Sequence, residues 1–311
     1  MRILFMGSGA IAEPTLERLL LLPDDEVVAV VTQPDRPRGR KLKVGACPVK
    51  EFAELHGVPV LDLEKVGADA SVSEIEALAP DLIVVAAYGQ YIKPSILRLP
   101  PLEAINLHPS LLPLYRGASP IQMAVADGQT QTGVSIIYMS EDMDAGDIIL
   151  QEAVTIHPDD TAASLRPVLG KLGAELIVRA IELIRRGEAN RTPQIAENAT
   201  YAKKMSKEDG RIDWAMSAKG IRNRVRGFAP WPGTFCQYGA EPGKTIKVLT
   251  ASVEQGGGAP GELLDVSTQG PLVATGDMAL RLLRVQPEGK KPMSGGDFAN
   301  GYTLTRGERL R

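Results

Sequence analysis

The chain has 311 residues, 44% of them hydrophobic and 23% charged, with a formal net charge of −3. That is the composition of a folded globular protein with a sizeable core, and the length suggests two domains and excludes extensive disorder. No apolar run approaches the roughly 18 residues that a membrane span needs, and residues 1–6 are too short and too soon followed by glycine to act as a secretory leader. A cytoplasmic, monomeric protein without a membrane partner is therefore expected. Cys47 and Cys236 lie far apart and form neither a metal quartet nor a disulfide framework, so both read as reduced thiols without function, and no metal is expected.

Residues 2–6 read as a buried strand entering Gly7-Ser8-Gly9, and residues 12–22 have helical spacing with Pro14 early, where its missing N–H costs nothing. This is a βα unit. A Gly-X-Gly turn admits a dinucleotide site, but the third glycine and the acidic residue closing a second strand are not where that fingerprint requires them, which argues against NAD. Residues 27–32 form a second strand and open into a run where Arg36, Arg38, Arg40, Lys41 and Lys43 are unaccompanied by any acidic residue. Broken by proline and glycine, this run is either a solvated loop or a basic arm that grips phosphates. Helical stretches at 49–56 and 72–79 alternate with apolar strands at 82–87 and 104–107. The alternation predicts a doubly wound, mostly parallel α/β sheet of Rossmann-like type, with ligands at the carboxyl ends of its strands.

One such strand end carries Asn106-Leu107-His108-Pro109-Ser110-Leu111-Leu112-Pro113. Asn106 and His108 are two apart and share one side of an extended backbone. Pro109 and Pro113 exclude a regular helix or a central strand between them, so Ser110, Leu111 and Leu112 form an ordered loop suited to a ligand wall. A histidine at a strand end is often structural, and an Asn there often bonds its own backbone.

Downstream, the apolar run 134–139 leads into the acidic turn Ser140-Glu141-Asp142-Met143-Asp144-Ala145-Gly146-Asp147, which lacks regular calcium-loop spacing. It reads as a solvated loop or weak cation site; folded beside His108, one of its carboxylates would orient and polarise the imidazole. Residues 134–139 and 148–156 are expected to pair as an antiparallel hairpin with Asp144 at the tip. His56 and His157 suit a helix end and a surface turn. Residues 164–186 have the spacing of one long amphipathic helix that closes a first domain at about residue 187, and the polar stretch 188–206 reads as a linker. After it, a helix at 215–226 and short strands at 245–253, 261–266, 272–275 and 279–285 predict a small β-barrel of OB-like type over 207–311. Residues 1–206 hold 20 Lys and Arg against 27 Asp and Glu, net −7, whereas residues 207–311 hold 15 against 11, net +4. A basic barrel joined to an acidic domain suggests a nucleic-acid-holding appendage. Arg222, Arg224 and Arg226 do not share a helix face, and some of them suit a structural role as well.

The run Asn106 to Pro113, continuing through Tyr115-Arg116-Gly117, together with Asp144-Ala145-Gly146-Asp147, resembles the folate-dependent formyltransferase family. The resemblance implies that Asn106, His108 and Asp144 form the catalytic triad, and that Ser110, Leu111, Leu112 and Pro113 contact the folate. It further implies that Ala86-Ala87-Tyr88-Gly89-Gln90 makes another wall of the folate cleft, with Ala86, Tyr88, Gly89 and Gln90 as contacts, and that 10-formyltetrahydrofolate is the co-substrate. Thr32-Gln33-Pro34-Asp35-Arg36-Pro37, Asp209-Gly210-Arg211-Ile212-Asp213-Trp214 and the run from Val225 to Gly233 resemble the branch that formylates methionyl initiator tRNA. That likeness implies initiator Met-tRNA as partner, gripped by Arg36, Arg38, Arg40, Lys41 and Lys43. Gly7-Ser8-Gly9-Ala10-Ile11-Ala12 departs from the Gly-Thr-Pro, acidic, aromatic pattern usual there, which leaves the geometry of that turn open. Two rival readings are a formyltransferase for a small amine such as a sugar nucleotide and a non-catalytic tRNA-binding protein.

Overall fold

The computed structural model describes residues 1–38, 43–240 and 243–311, and these divide into two compact units. The first comprises residues 1–120, 131–155 and 166–203. Its seven-stranded sheet runs in the order Ile148–Thr155, Gln131–Tyr138, Ala104–His108, Leu82–Ala86, Arg2–Gly7, Glu26–Thr32 and Val60–Asp62. The last five strands are mutually parallel, and Gln131–Tyr138 is antiparallel to both its neighbours. The expected hairpin is therefore present, as an antiparallel edge on a parallel sheet.

The central strands are buried on both faces, as their continuous apolar runs require. Leu4, Met6, Ala29, Val31, Ile83 and Val85 form one core layer with Ile75 of the Asp69–Ala77 helix, Ile92 and Ile96. Ile3, Phe5, Val30, Leu82, Val84 and Ile105, which alternate with them, are equally buried on the other face. Each such side chain taken wholly out of water contributes about 1.5–3 kcal/mol. The chain goes outward from Arg2–Gly7 to Val60–Asp62 and then returns to Leu82–Ala86 on the far side of its first strand. That reversal puts Gly7-Ser8-Gly9 and Ala87 at a topological switch point, where open α/β sheets place their ligands. There Ser8 N and Gly9 N both donate to Ala87 O at 3.2 Å, and Gln33 N donates to Ser8 Oγ at 3.0 Å.

Residues 191–202, within the stretch read as a linker, are tied along this unit. Ile148 and Thr192 exchange backbone hydrogen bonds, Tyr201–Ala202 pairs in parallel with Arg116–Gly117, and Arg191 lies over the Tyr138 ring at 3.8 Å.

The second unit comprises residues 121–130, 156–165 and 204–311. Its antiparallel sheet runs Thr234–Tyr238, Lys244–Glu254, Ala279–Pro287, Gly270–Ala274 and Leu263–Ser267, with Met293–Ser294 paired to Ala279–Pro287. Strand Thr234–Tyr238 and helix Gly295–Gly301 lie outside the sequence expectation, because neither short segment carries a marked periodicity. The last residues join the two edges of this sheet. Leu263 N donates to Glu308 O and Leu310 N to Gly261 O, both at 2.8 Å, while Gln237 and Arg311 exchange bonds of 2.6 and 2.9 Å. The C-terminal segment thus acts as the stave that closes the barrel, and Leu310 is buried in its core with Trp214, Leu263, Leu280 and Phe298.

Arg281 crosses the sheet face to Glu254 at 2.8 Å and Asp265 at 2.9 Å, and this guanidinium holds both carboxyls below their usual range. In helix Ala218–Gly227, Arg222 pairs with Asp159 at 3.0 Å and Arg226 donates to Asp160 O at 2.7 Å. Those two arginines are structural. Cys47 and Cys236 are both buried and free, and burial pushes the Cys236 thiol up to about 12.

Candidate active site

Strand Ala104–His108 brings Asn106 and His108 to its carboxyl end, 9% and 4% exposed. The turn between the two antiparallel strands brings Asp144 against them. Asp144 Oδ2 lies 3.5 Å from His108 Nδ1, and Asn106 Nδ2 lies 3.4 Å from Asp144 Oδ1. The three sequence-predicted triad residues therefore meet in space. The other ring nitrogen, His108 Nε2, sits 2.9 Å from Tyr115 O; a carbonyl only accepts, so Nε2 carries a hydrogen. At 3.5 Å the Nδ1 contact is at the limit of a hydrogen bond, leaving that edge of the ring weakly engaged. Asn106 makes only its long bond to Asp144, so one amide hydrogen has no partner among the described residues.

The acidic turn separates its carboxylates. Glu141 pairs with exposed Arg98 and Asp142 is exposed, whereas Asp144 and Asp147 are half-buried and Asp144 is the one that meets His108. Its backbone is left-handed, φ +51°, a conformation that Asp tolerates better than most residues. Gly117 N donates at 2.8 Å to Asp144 Oδ2, the same oxygen that faces His108, and fixes the carboxylate there. Both glycines of this contact are required: a Cβ on Gly117, φ +114°, would meet Ala202 O at 2.7 Å, and one on Gly146 would meet Tyr138 O at 1.8 Å.

The loop after His108 is held from beneath by residues that carry no motif signal. Ser135 Oγ accepts from Leu112 N at 3.1 Å and from Gln151 Nε2 at 2.7 Å, and donates to Ser110 O at 2.7 Å, so all its capacity is used. Ser110 Oγ donates to Leu114 O at 2.6 Å. Ser110 and Leu112 are buried, and Leu111 and Pro113 are half-exposed.

In the 86–90 segment, Ala86 is fully buried and Tyr88 belongs to the core layer, its hydroxyl without a partner among the described residues and its phenol pushed up by burial. The Gln90 amide is occupied by Val66 N at 3.1 Å and Leu63 O at 2.9 Å. What this segment presents outward is its backbone at exposed Ala87 and Gly89. Of the basic run, Arg36 is exposed and pairs within the hairpin Arg36–Arg38 with Lys43–Gly45, while Arg40 and Lys41 lie outside the described residues.

The residue that sequence reasoning missed is Gln194. Its Nε2 donates to Asp144 O and Gly146 O, both at 2.8 Å, and its Oε1 accepts from Arg116 Nε at 3.1 Å and Nη2 at 2.7 Å. Thr200 Oγ1 accepts from Tyr115 N at 2.8 Å. Chemically the cluster offers an amide donor, an imidazole held between a carbonyl and a carboxylate, and a backbone-braced Asp. That set suits the stabilisation of a developing oxyanion and the movement of one proton.

The sheet that carries this cluster is parallel with an antiparallel edge, and the chain belongs to the formyl transferase family. The Formyl transferase model matches residues 1–181, and the model of the family's C-terminal domain matches residues 204–303. The chain is 44% identical over 308 residues to the methionyl-tRNA formyltransferase of Geobacter metallireducens, covering 99% of this chain and 98% of the relative. It is 42% identical over 310 residues to that of Roseiflexus castenholzii, covering 100% and 99%. Within the family, it therefore belongs with the methionyl-tRNA formyltransferases. Among solved structures, WlaRD, a sugar 3N-formyl transferase crystallised with dTDP and 5-N-formyl-THF, matches with TM-score 0.64 at 17% identity over 94% of this chain and 99% of that one. HypX from Aquifex aeolicus in complex with tetrahydrofolic acid matches with TM-score 0.61 at 21% identity over 100% of this chain and 50% of that one. These two likenesses are of fold.

Proposed function

We propose that the chain transfers the formyl group of 10-formyltetrahydrofolate to the α-amino nitrogen of methionine on initiator tRNA, giving N-formylmethionyl-tRNA for translation initiation. The observation that carries this reading is the convergence of Asn106, His108 and Asp144 in a chain more than 40% identical, end to end, to methionyl-tRNA formyltransferases. The half-exposed faces of Leu111 and Pro113, with the outward backbone of Ala87 and Gly89, suit a flat, polar-edged pterin better than a flexible chain.

The neutral amine adds to the formyl carbon, and the carbon–oxygen π pair moves to oxygen. Asn106, through its free amide hydrogen, and protonated His108, through Nδ1, donate to that oxygen; one such donor is typically worth about 2.7–4 kcal/mol. Asp144 supports the charge on His108 and relays the proton that the attacking nitrogen loses. As the oxygen re-forms its double bond, the formyl carbon separates from N10 of the folate, which takes a proton, and tetrahydrofolate leaves.

In this reading residues 1–187 do the chemistry and residues 207–311 hold the tRNA, supported by the net charges of −7 and +4 on either side of residue 206. Arg36, Arg38, Arg40, Lys41 and Lys43, a basic run that follows strand Glu26–Thr32 in sequence, would add phosphate contacts. The test is formyl transfer by the full chain from 10-formyltetrahydrofolate to methionyl initiator tRNA, measured against free methionine and amino-sugar nucleotides. Turnover with the amino sugar exceeding that with Met-tRNA would replace this reading by the small-amine one.

A further inference from the structure

Gln194 stands in a polar stretch with no motif, yet its amide has every hydrogen-bonding position filled: two donations at 2.8 Å and two acceptances at 3.1 and 2.7 Å. The orientation of the amide is unambiguous. Arginine only donates and carbonyls only accept, so Oε1 must face Arg116 and Nε2 must face the turn. Arg116 is 7% exposed, and among the described residues no carboxylate pairs with it, so its contact with Oε1 is charge-assisted and strong. The two carbonyls that Nε2 holds belong to Asp144, the left-handed residue of the turn, and to Gly146, two residues further on. The other restraints within that turn are weaker or lie elsewhere: Ala145 N to Asp142 O at 3.4 Å, Ser140 Oγ to Asp142 O at 3.0 Å, and Tyr138 N to Asp147 O at 2.9 Å.

We propose that Gln194 is a positioning residue, clamped by Arg116, that sets the Asp144 carboxylate against the His108 ring. This rests on the reading of Asp144 and His108 given above. The contact being set is 3.5 Å long, where a few tenths of an ångström separate an oriented pair from a lost one. Released from Nε2, the Asp144 backbone relaxes from φ +51° toward ordinary values, and the carboxylate keeps Gly117 N but swings away from the ring. The stretch expected to be a spacer then forms part of the active site, and its course along the first unit has a purpose.

Two substitutions in the full chain test this. Gln194→Met keeps the volume and removes all four bonds, whereas Gln194→Glu keeps the acceptor for Arg116 and turns the two donations into repulsions. Both are expected to lower kcat by about 10- to 100-fold, with KM for Met-tRNA within threefold of wild type. Unchanged kcat in Gln194→Glu, or a loss carried by KM for Met-tRNA alone, with or without a fall in Tm, would overturn the positioning role. Should Gln194→Met fail to fold, Gln194→Glu, which retains the partner of Arg116, decides the question. A wild-type chain that did not formylate Met-tRNA would instead remove the reading on which the proposal rests.

Discussion

Asp144→Asn keeps the shape of the side chain and removes its charge. At the observed 3.5 Å between Asp144 Oδ2 and His108 Nδ1, and with an effective dielectric of about 20, the gross attraction between carboxylate and imidazolium is about 5 kcal/mol. Desolvation offsets much of this, and hydrogen bonds to charged groups retain about 1.5–3 kcal/mol net. The carboxylate is only 17% exposed, so solvent screens it little. An Asn in its place can still accept from Gly117 N if its oxygen takes the Oδ2 position, but its NH2 then faces Asn106 Nδ2 across the present 3.4 Å, two donors opposed. The expected result is a kcat lowered about 10- to 100-fold at 1.4 kcal/mol per tenfold, with KM for Met-tRNA nearly unchanged. Rapid-quench single turnovers with saturating 10-formyltetrahydrofolate, resolved by the mobility of acylated and formylated tRNA, measure it, with Tm by circular dichroism as control. A rate within threefold of wild type at unchanged Tm would refute the role assigned to Asp144.

Replacing Arg40 and Lys41 by Ala should weaken use of Met-tRNA and flatten its salt dependence while leaving folate affinity intact, since fewer counterions are released; identical kinetics at all ionic strengths would make the arm a plain solvated loop. Leu310→Ala removes a 3%-exposed side chain from the closing stave and should destabilise the second unit by about 2–5 kcal/mol, read as an earlier calorimetric transition, with kcat preserved at low temperature and saturating tRNA. Glu254→Gln with Asp265→Asn should lower stability at neutral pH. Because Arg281 depresses both carboxyls, their contribution is complete above the ordinary carboxylate range and disappears as pH falls through the lowered values, so the wild-type advantage should close in acid. A gap that stayed constant from neutrality to acid would show that the charges are not its source.

How much of this was legible beforehand differs by element. Helices expected at 49–56 and 164–186 appear as Pro48–Leu55 and Ala162–Arg185, because their apolar period and capping signals act within one turn of chain. The barrel strands expected at 245–253 and 279–285 appear as Lys244–Glu254 and Ala279–Pro287 for the same reason. The 86–90 segment is a different case: Ala86 and Tyr88 are buried and the Gln90 amide bonds Leu63 and Val66, which spacing along the chain gives no means of knowing.

By itself, then, the sequence determined the α/β class, the mostly antiparallel character of the C-terminal part, and the side chains at the strand end and on the acidic turn, since periodicity, proline and glycine act through neighbouring residues. Tertiary structure alone decided which of the turn's carboxylates meets His108, and it did so by the left-handed backbone of Asp144 and the Gly117 N–H that receives it. It also decided that Ser135 and Gln151 carry the ligand loop, that the last residues close the barrel, and that Gln194 reaches Asp144 across 50 residues of chain. Each of these rests on hydrogen bonds between groups distant in sequence, through side chains at the ligand loop and at Gln194 and between backbones where the barrel closes. A polar residue with four bonds waiting for it looks, in one dimension, the same as a polar residue in water.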